Sequence, residues 1–185
     1  MPSQGPNSCS SGSTVSGGST IAWTDPGNIT ASDNARATCT LNLNEVSDDL
    51  TAKTFGFSLP DGTVSGIEVE WEKSGGSDLI DQQVQLIFGG AEVGNNKSTG
   101  ATWPAADTYV SYGGAADLWG WTPSPSNIND NSFGVIIVAK NATGGLPIMA
   151  EVDHVRITVT YTVAADAPPM AQVARREVHY AEIFE

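Results

Sequence analysis

Residues 152–163 read VDHVRITVTYTV. Val155, Ile157, Val159, Tyr161 and Val163 alternate there with His154, Arg156, Thr158, Thr160 and Thr162. Successive side chains on a strand point to opposite faces, so a period of two makes one face apolar and the other polar. The stretch predicts a long, half-buried antiparallel strand. Residues 66–72, GIEVEWE, obey the same rule, with Ile67, Val69 and Trp71 on one face and Glu68, Glu70 and Glu72 on the other. Two strands with one apolar face each need a second layer to cover them. The expected fold class is all-β: an antiparallel two-sheet sandwich, jelly-roll-like, with extended terminal arms.

The flanking sequence supplies that layer. Residues 133–140, FGVIIVAK, form a nearly continuous apolar run and read as a central strand buried on both faces. Further strands are expected at 37–43, 81–88 and 91–97. Another is expected at 54–59, where Phe55, Phe57 and Leu59 share a face and Pro60-Asp61-Gly62 turns the chain into residues 64–72 as a hairpin. Residues 98–132 are the least regular part, with a single helical turn expected near SNINDN at 126–131.

Three segments follow from composition. Residues 1–19 are rich in Gly, Ser, Pro and Asn and read as an N-terminal arm; 20–163 are the sandwich; 164–185, opened by Pro168-Pro169, are a C-terminal arm. That arm carries Val173, Val178, Tyr180, Ile183 and Phe184. It reads either as a solvated tail or as a partner-binding arm that orders on a neighbour, by strand addition or as a docked helical turn. In the second case the protein is an oligomer, expected to be a trimer.

The chain has 185 residues, one domain by length, and a net charge of −13 with only 8 Lys and Arg. Such a charge is repelled by phosphate, so neither nucleic acid nor an anionic membrane is an expected partner. No apolar run approaches the ~20 residues of a spanning helix. The first residues have no basic region followed by an apolar one, so no signal peptide is expected. The three Asn-x-Ser/Thr matches, at Asn28, Asn96 and Asn141, are then read as chance. Cys9 and Cys39 are either a disulfide pinning the N-terminus to an early strand or two separate thiols.

Four constellations invite a chemical reading. Glu68, Glu70 and Glu72 look a little like the carboxylate strand of laminarinase-type glycoside hydrolases, which are also β-sandwiches, although that pattern has Asp where this chain has Glu70. Paired carboxylates about 5–5.5 Å apart would suit retaining hydrolysis, but a solvated strand face explains the row as well. Asp153 and His154, as strand neighbours, point to opposite faces; His154 and Arg156 are expected to share the outer one. Asp25, Asn28, Asp33, Asp130 and Asn131 are loop oxygens of the kind calcium uses, but their spacing fits turn chemistry better. Trp103, Tyr109, Tyr112, Trp119 and Trp121 are either a surface aromatic platform for sugars or rings packed over one end of the sandwich. No catalytic, cofactor or metal motif is expected.

Three runs together carry a resemblance: GIEVEWEK at 66–73, WGWTPSPSNIN at 119–129 and VDHVRITVTY at 152–161. With the sequence around them they resemble a β-sandwich module of tailed-bacteriophage structural proteins, over roughly residues 20–163. The resemblance implies a non-enzymatic virion protein: a capsid decoration or cement protein, head fibre or tail-associated domain. Its partner would be the major capsid protein or another virion protein, and its location the capsid surface. A carbohydrate- or receptor-binding module is the alternative, and a glycan hydrolase a more distant one.

Overall fold

The computed structural model describes residues 1–143 and 145–164. Two five-stranded sheets face each other, and every ladder between named strands is antiparallel. The chain is the expected two-sheet, jelly-roll-like sandwich.

Sheet A is built on the two alternating stretches. Strand β10 (Ile148–Val163) lies beside β5 (Gly62–Ser74), and β5 pairs on its other side with β8 (Thr108–Gly114). The far edge of β10 is shared end to end by β3 (Ala37–Leu41) and β1 (Ser3–Ser8). Residues directly opposite on neighbouring strands share a face. Ile67, Val69 and Trp71 therefore lie across from Val159, Ile157 and Val155, and all six are fully buried. Glu68, Glu70 and Glu72 lie across from Thr158, Arg156 and His154 on the outer face. The register slips between Val152 and His154, which makes Asp153 a bulge residue.

Sheet B runs in the order β2 (Ser11–Val15), β4 (Asp49–Lys53), β9 (Gly134–Asn141), β6 (Leu79–Phe88), β7 (Ala91–Val93). β9 is the predicted central strand and is buried on both faces. Val135, Ile137 and Ala139 enter the core, while Ile136 and Val138 are buried on the outer side. Helix α1 (Pro125–Asn129) is capped by Ser124, whose hydroxyl accepts from Asn127 N, and it sends Ile128 into the core.

Three expectations need correction. Residues 1–19 are not an arm. β1 joins sheet A and β2 joins sheet B, with buried Cys9 where the chain crosses between them. Edge strands of small polar residues are held by backbone hydrogen bonds and leave almost no hydrophobic pattern to read. Residues 54–59 are not a hairpin strand. Thr54 and Gly56 adopt positive φ, 60° and 66°, so the segment coils. Phe55, Phe57 and Leu59 still all point inward, and Phe55 and Phe57 sit 6.2–6.5 Å from Phe133. Residues 91–97 form a strand only as far as Val93.

Candidate functional site

The outer face of sheet A holds the acidic row, and its central member, Glu70, is paired with Arg156. Arg156 Nε and Nη2 donate to Glu70 Oε2 and Oε1 at 2.7 and 2.9 Å, a bidentate pair. The same guanidinium lies 3.9 Å from the centre of the Tyr109 ring. His154 and Arg156 share this face as expected. His154 Nδ1 lies 2.7 Å from the Tyr109 hydroxyl and its Nε2 2.9 Å from Ser8 Oγ. Burial pushes His154 below its ordinary pKa, opposed mainly by the Glu72 carboxylate. Tyr109 is pushed up by burial first, with Glu72 adding to the rise.

The five aromatic residues do not make a surface platform. Trp103, Tyr112 and Trp119 are buried, Tyr109 is covered by Arg156, and half-buried Trp121 stacks 6.2 Å from Phe133 and lies 5.8 Å from Phe88. Each buried ring turns inward because its polar atom finds a partner there. Trp119 Nε1 donates to the Ile67 carbonyl at 2.9 Å, and Trp103 Nε1 to Asp81 Oδ1 at 2.8 Å.

That last contact opens onto a feature the sequence reading passed over. Lys73 and Asp81 form an ion pair between the sheets, with side chains only 2% and 3% exposed. Tyr112 completes it: its hydroxyl accepts from Lys73 Nζ at 2.6 Å and donates to Asp81 Oδ2 at 2.5 Å. The Lys73 ammonium also lies 4.6 Å from the Trp103 ring centre and 5.3 Å from that of Tyr112. A signal for half of this was available, because Lys73 continues the inward parity of Ile67, Val69 and Trp71. Its partner, across the sandwich on β6, leaves no local trace.

The outer face of sheet B carries two adjoining hollows. One, of about 510 Å³, is lined among others by Ser19, Glu45, Asp49, Gln83 and Val138. The second, of about 310 Å³, is lined by Val15, Asp49, Thr51, Lys53, Glu92 and Ile136 among others. Asp49 belongs to both, and its carboxyl is pushed up by burial and then by Glu92 and Asp48.

The remaining candidates are structural or undescribed. Cys9 and Cys39 are separate buried thiols, with Cys9 Sγ near the Ile29 carbonyl and Cys39 Sγ near that of Ile21. Asp33 and Asp130 accept from the backbone N–H two residues on, as turn residues do. Among the described residues no three His, Cys, Asp or Glu side chains are grouped to hold a metal ion. Val173, Val178, Tyr180, Ile183 and Phe184 lie outside the described residues.

No family model matches the chain, and no curated protein matches it. A solved structure described as "CBM4 structure and function" is similar, at 11% identity and a TM-score of 0.41, over 69% of this chain and 85% of that one. Identity and superposition are both too low to bring a function with them.

Proposed function

We propose that the chain is a non-enzymatic virion structural protein, a capsid decoration or cement protein on the outside of a tailed-phage head. The observation that carries this is where the motif residues sit. Ile67, Val69, Trp71, Trp119, Ile128, Val155, Ile157 and Val159 are all buried in one core. The motif thus describes a scaffold and not a reaction centre. Two groups of the outer face that could do acid–base chemistry are held in structural contacts, Glu70 by Arg156 and His154 between Tyr109 and Ser8. A charge of −13 suits an exterior that stays soluble and away from nucleic acid. In this proposal Val173, Val178, Tyr180, Ile183 and Phe184 bind a neighbour and build a trimer.

The test is co-purification with assembled particles in fixed stoichiometry, by the full chain and by a chain ended at Val163. The full chain should bind particles and oligomerise, and the shortened one should fold but bind far more weakly. Equal binding by both removes the role of the C-terminal segment, and no particle binding by either removes the proposal.

The hollows on sheet B favour a second reading, a carbohydrate- or receptor-binding module. Asp49, Thr51, Lys53, Gln83 and Glu92 stand around Ile136 and Val138, a polar rim over an apolar floor that suits a hydroxyl-rich ligand. Glycan binding by the purified protein that is lost in Asp49→Ala would favour it over the first.

A further inference from the structure

We propose that Lys73 and Asp81 join in an intramolecular isopeptide bond that ties sheet A to sheet B. The two side chains face each other from β5 and β6 across the core. They are held in place by two further groups. Trp103 Nε1 donates to Asp81 Oδ1, and the Tyr112 hydroxyl bridges Lys73 Nζ and Asp81 Oδ2. An amine held against a carboxyl in this way meets it at a very high effective concentration.

The reaction is a condensation, and its protons are already present. Lys73 as an ammonium passes one proton to the Tyr112 oxygen while the phenolic proton moves to Asp81 Oδ2. The pair is then a neutral amine and a neutral carboxyl. The nitrogen lone pair attacks Asp81 Cγ and forms the new C–N bond, and the carbonyl electron pair moves onto Oδ1. The Trp103 N–H donates to that oxygen where the charge develops. A second proton passes from the nitrogen along the Tyr112 path to Oδ2. The electron pair on Oδ1 returns to re-form the carbonyl as the Cγ–Oδ2 bond breaks with its pair on the oxygen, and one water leaves. One hydrogen stays on nitrogen, so the product is a secondary amide plus water, with no oxidant, reductant or activating group needed.

The surroundings favour the forward direction. Both side chains are out of solvent, so the water that leaves is not readily replaced. Burial pushes the Lys73 ammonium below its ordinary pKa, against the pull of Asp81, which makes the free amine easier to reach. A buried ion pair carries the desolvation cost of both charges, whereas an amide carries neither charge.

The experiment is the intact mass of the purified full chain in denaturant, followed by peptide mapping. The chain should be lighter than its sequence mass by one water. Trypsin should not cut after Lys73. Cleavage after Leu79 should leave the peptide holding Lys73 joined to the one holding Asp81. Lys73→Arg and Asp81→Ala should show the full mass. Tyr112→Phe keeps the ring and both reacting groups, and should show a mixture in which the linked form accumulates more slowly. A folded wild-type chain of full mass overturns the proposal, as does a water loss that maps to any other pair of residues. This result needs no folded variant.

Discussion

Trp119 Nε1 donates to the carbonyl oxygen of Ile67 at 2.9 Å, and the Ile67 N–H donates in turn to the Asp117 carbonyl at 2.9 Å. The corner at 117–119 thus takes both backbone groups of a central-strand residue where β8 ends. Asp117 braces it further, its Oδ1 accepting from Trp119 N at 2.7 Å and its Oδ2 from Lys97 Nζ at 2.6 Å. Trp119→Phe keeps most of the ring but orphans the buried Ile67 oxygen. It should lower the unfolding free energy by about 1–3 kcal/mol in urea titration. A change of only a few tenths would mean the corner does not depend on that bond.

Gly66 lies where this corner closes on β5. A Cβ built there would stand 2.2 Å from the carbonyl carbon of Ala115 and 2.4 Å from the Gly114 oxygen, both backbone. Neither can move without shifting the corner, so Gly66→Ala should be destabilising by about 1–3 kcal/mol or more. Gly76→Ala, with nothing within 4 Å but φ of +95°, should suffer only from backbone strain. Thermal unfolding of the two variants separates the causes. A melting temperature for Gly66→Ala equal to wild type would contradict the close approach.

His154 makes stability depend on pH in a defined direction. Its folded pKa is held below the unfolded value of 6.5 by burial. The unfolded chain therefore binds the proton more readily, and the contribution is complete above 6.5 and lost as pH falls through and below it. The urea midpoint of the wild type should drop between about pH 7.5 and about pH 5.5, and that of His154→Gln should drop less. Parallel pH profiles for the two proteins would show that other groups carry the dependence.

Cys9 and Cys39 should be inert in the native state. Burial pushes each thiol up to about 12, and both residues are 3% exposed. The thiolate is the reactive form, so neither should react with an aromatic disulfide reagent at neutral pH until the chain unfolds. Two equivalents should then appear in denaturant. Rapid labelling of the folded protein, or none in denaturant without reductant, would show that the thiols are exposed or joined.

Alternation by itself determined the inner and outer faces of β5 and β10, and the unbroken run in β9 determined its burial on both sides. Strand periodicity is local: each residue's face follows from its parity with its neighbours. The same rule placed His154 and Arg156 together and, carried one step further, would have placed Lys73 inside. Tertiary structure alone decided the rest. β1 and β2 exist because β10 and β4 offer unpaired edges, a fact about their neighbours that Ser- and Gly-rich residues do not encode. Trp103, Tyr112 and Trp119 could have faced solvent. They are buried because Asp81 and the Ile67 carbonyl, remote in sequence, accept their N–H and O–H groups. Asp81 itself reads as an ordinary polar residue near the start of a strand. Only the packing of sheet B against sheet A brings it to Lys73, because charge complementarity across a core depends on distance in space and not on spacing along the chain.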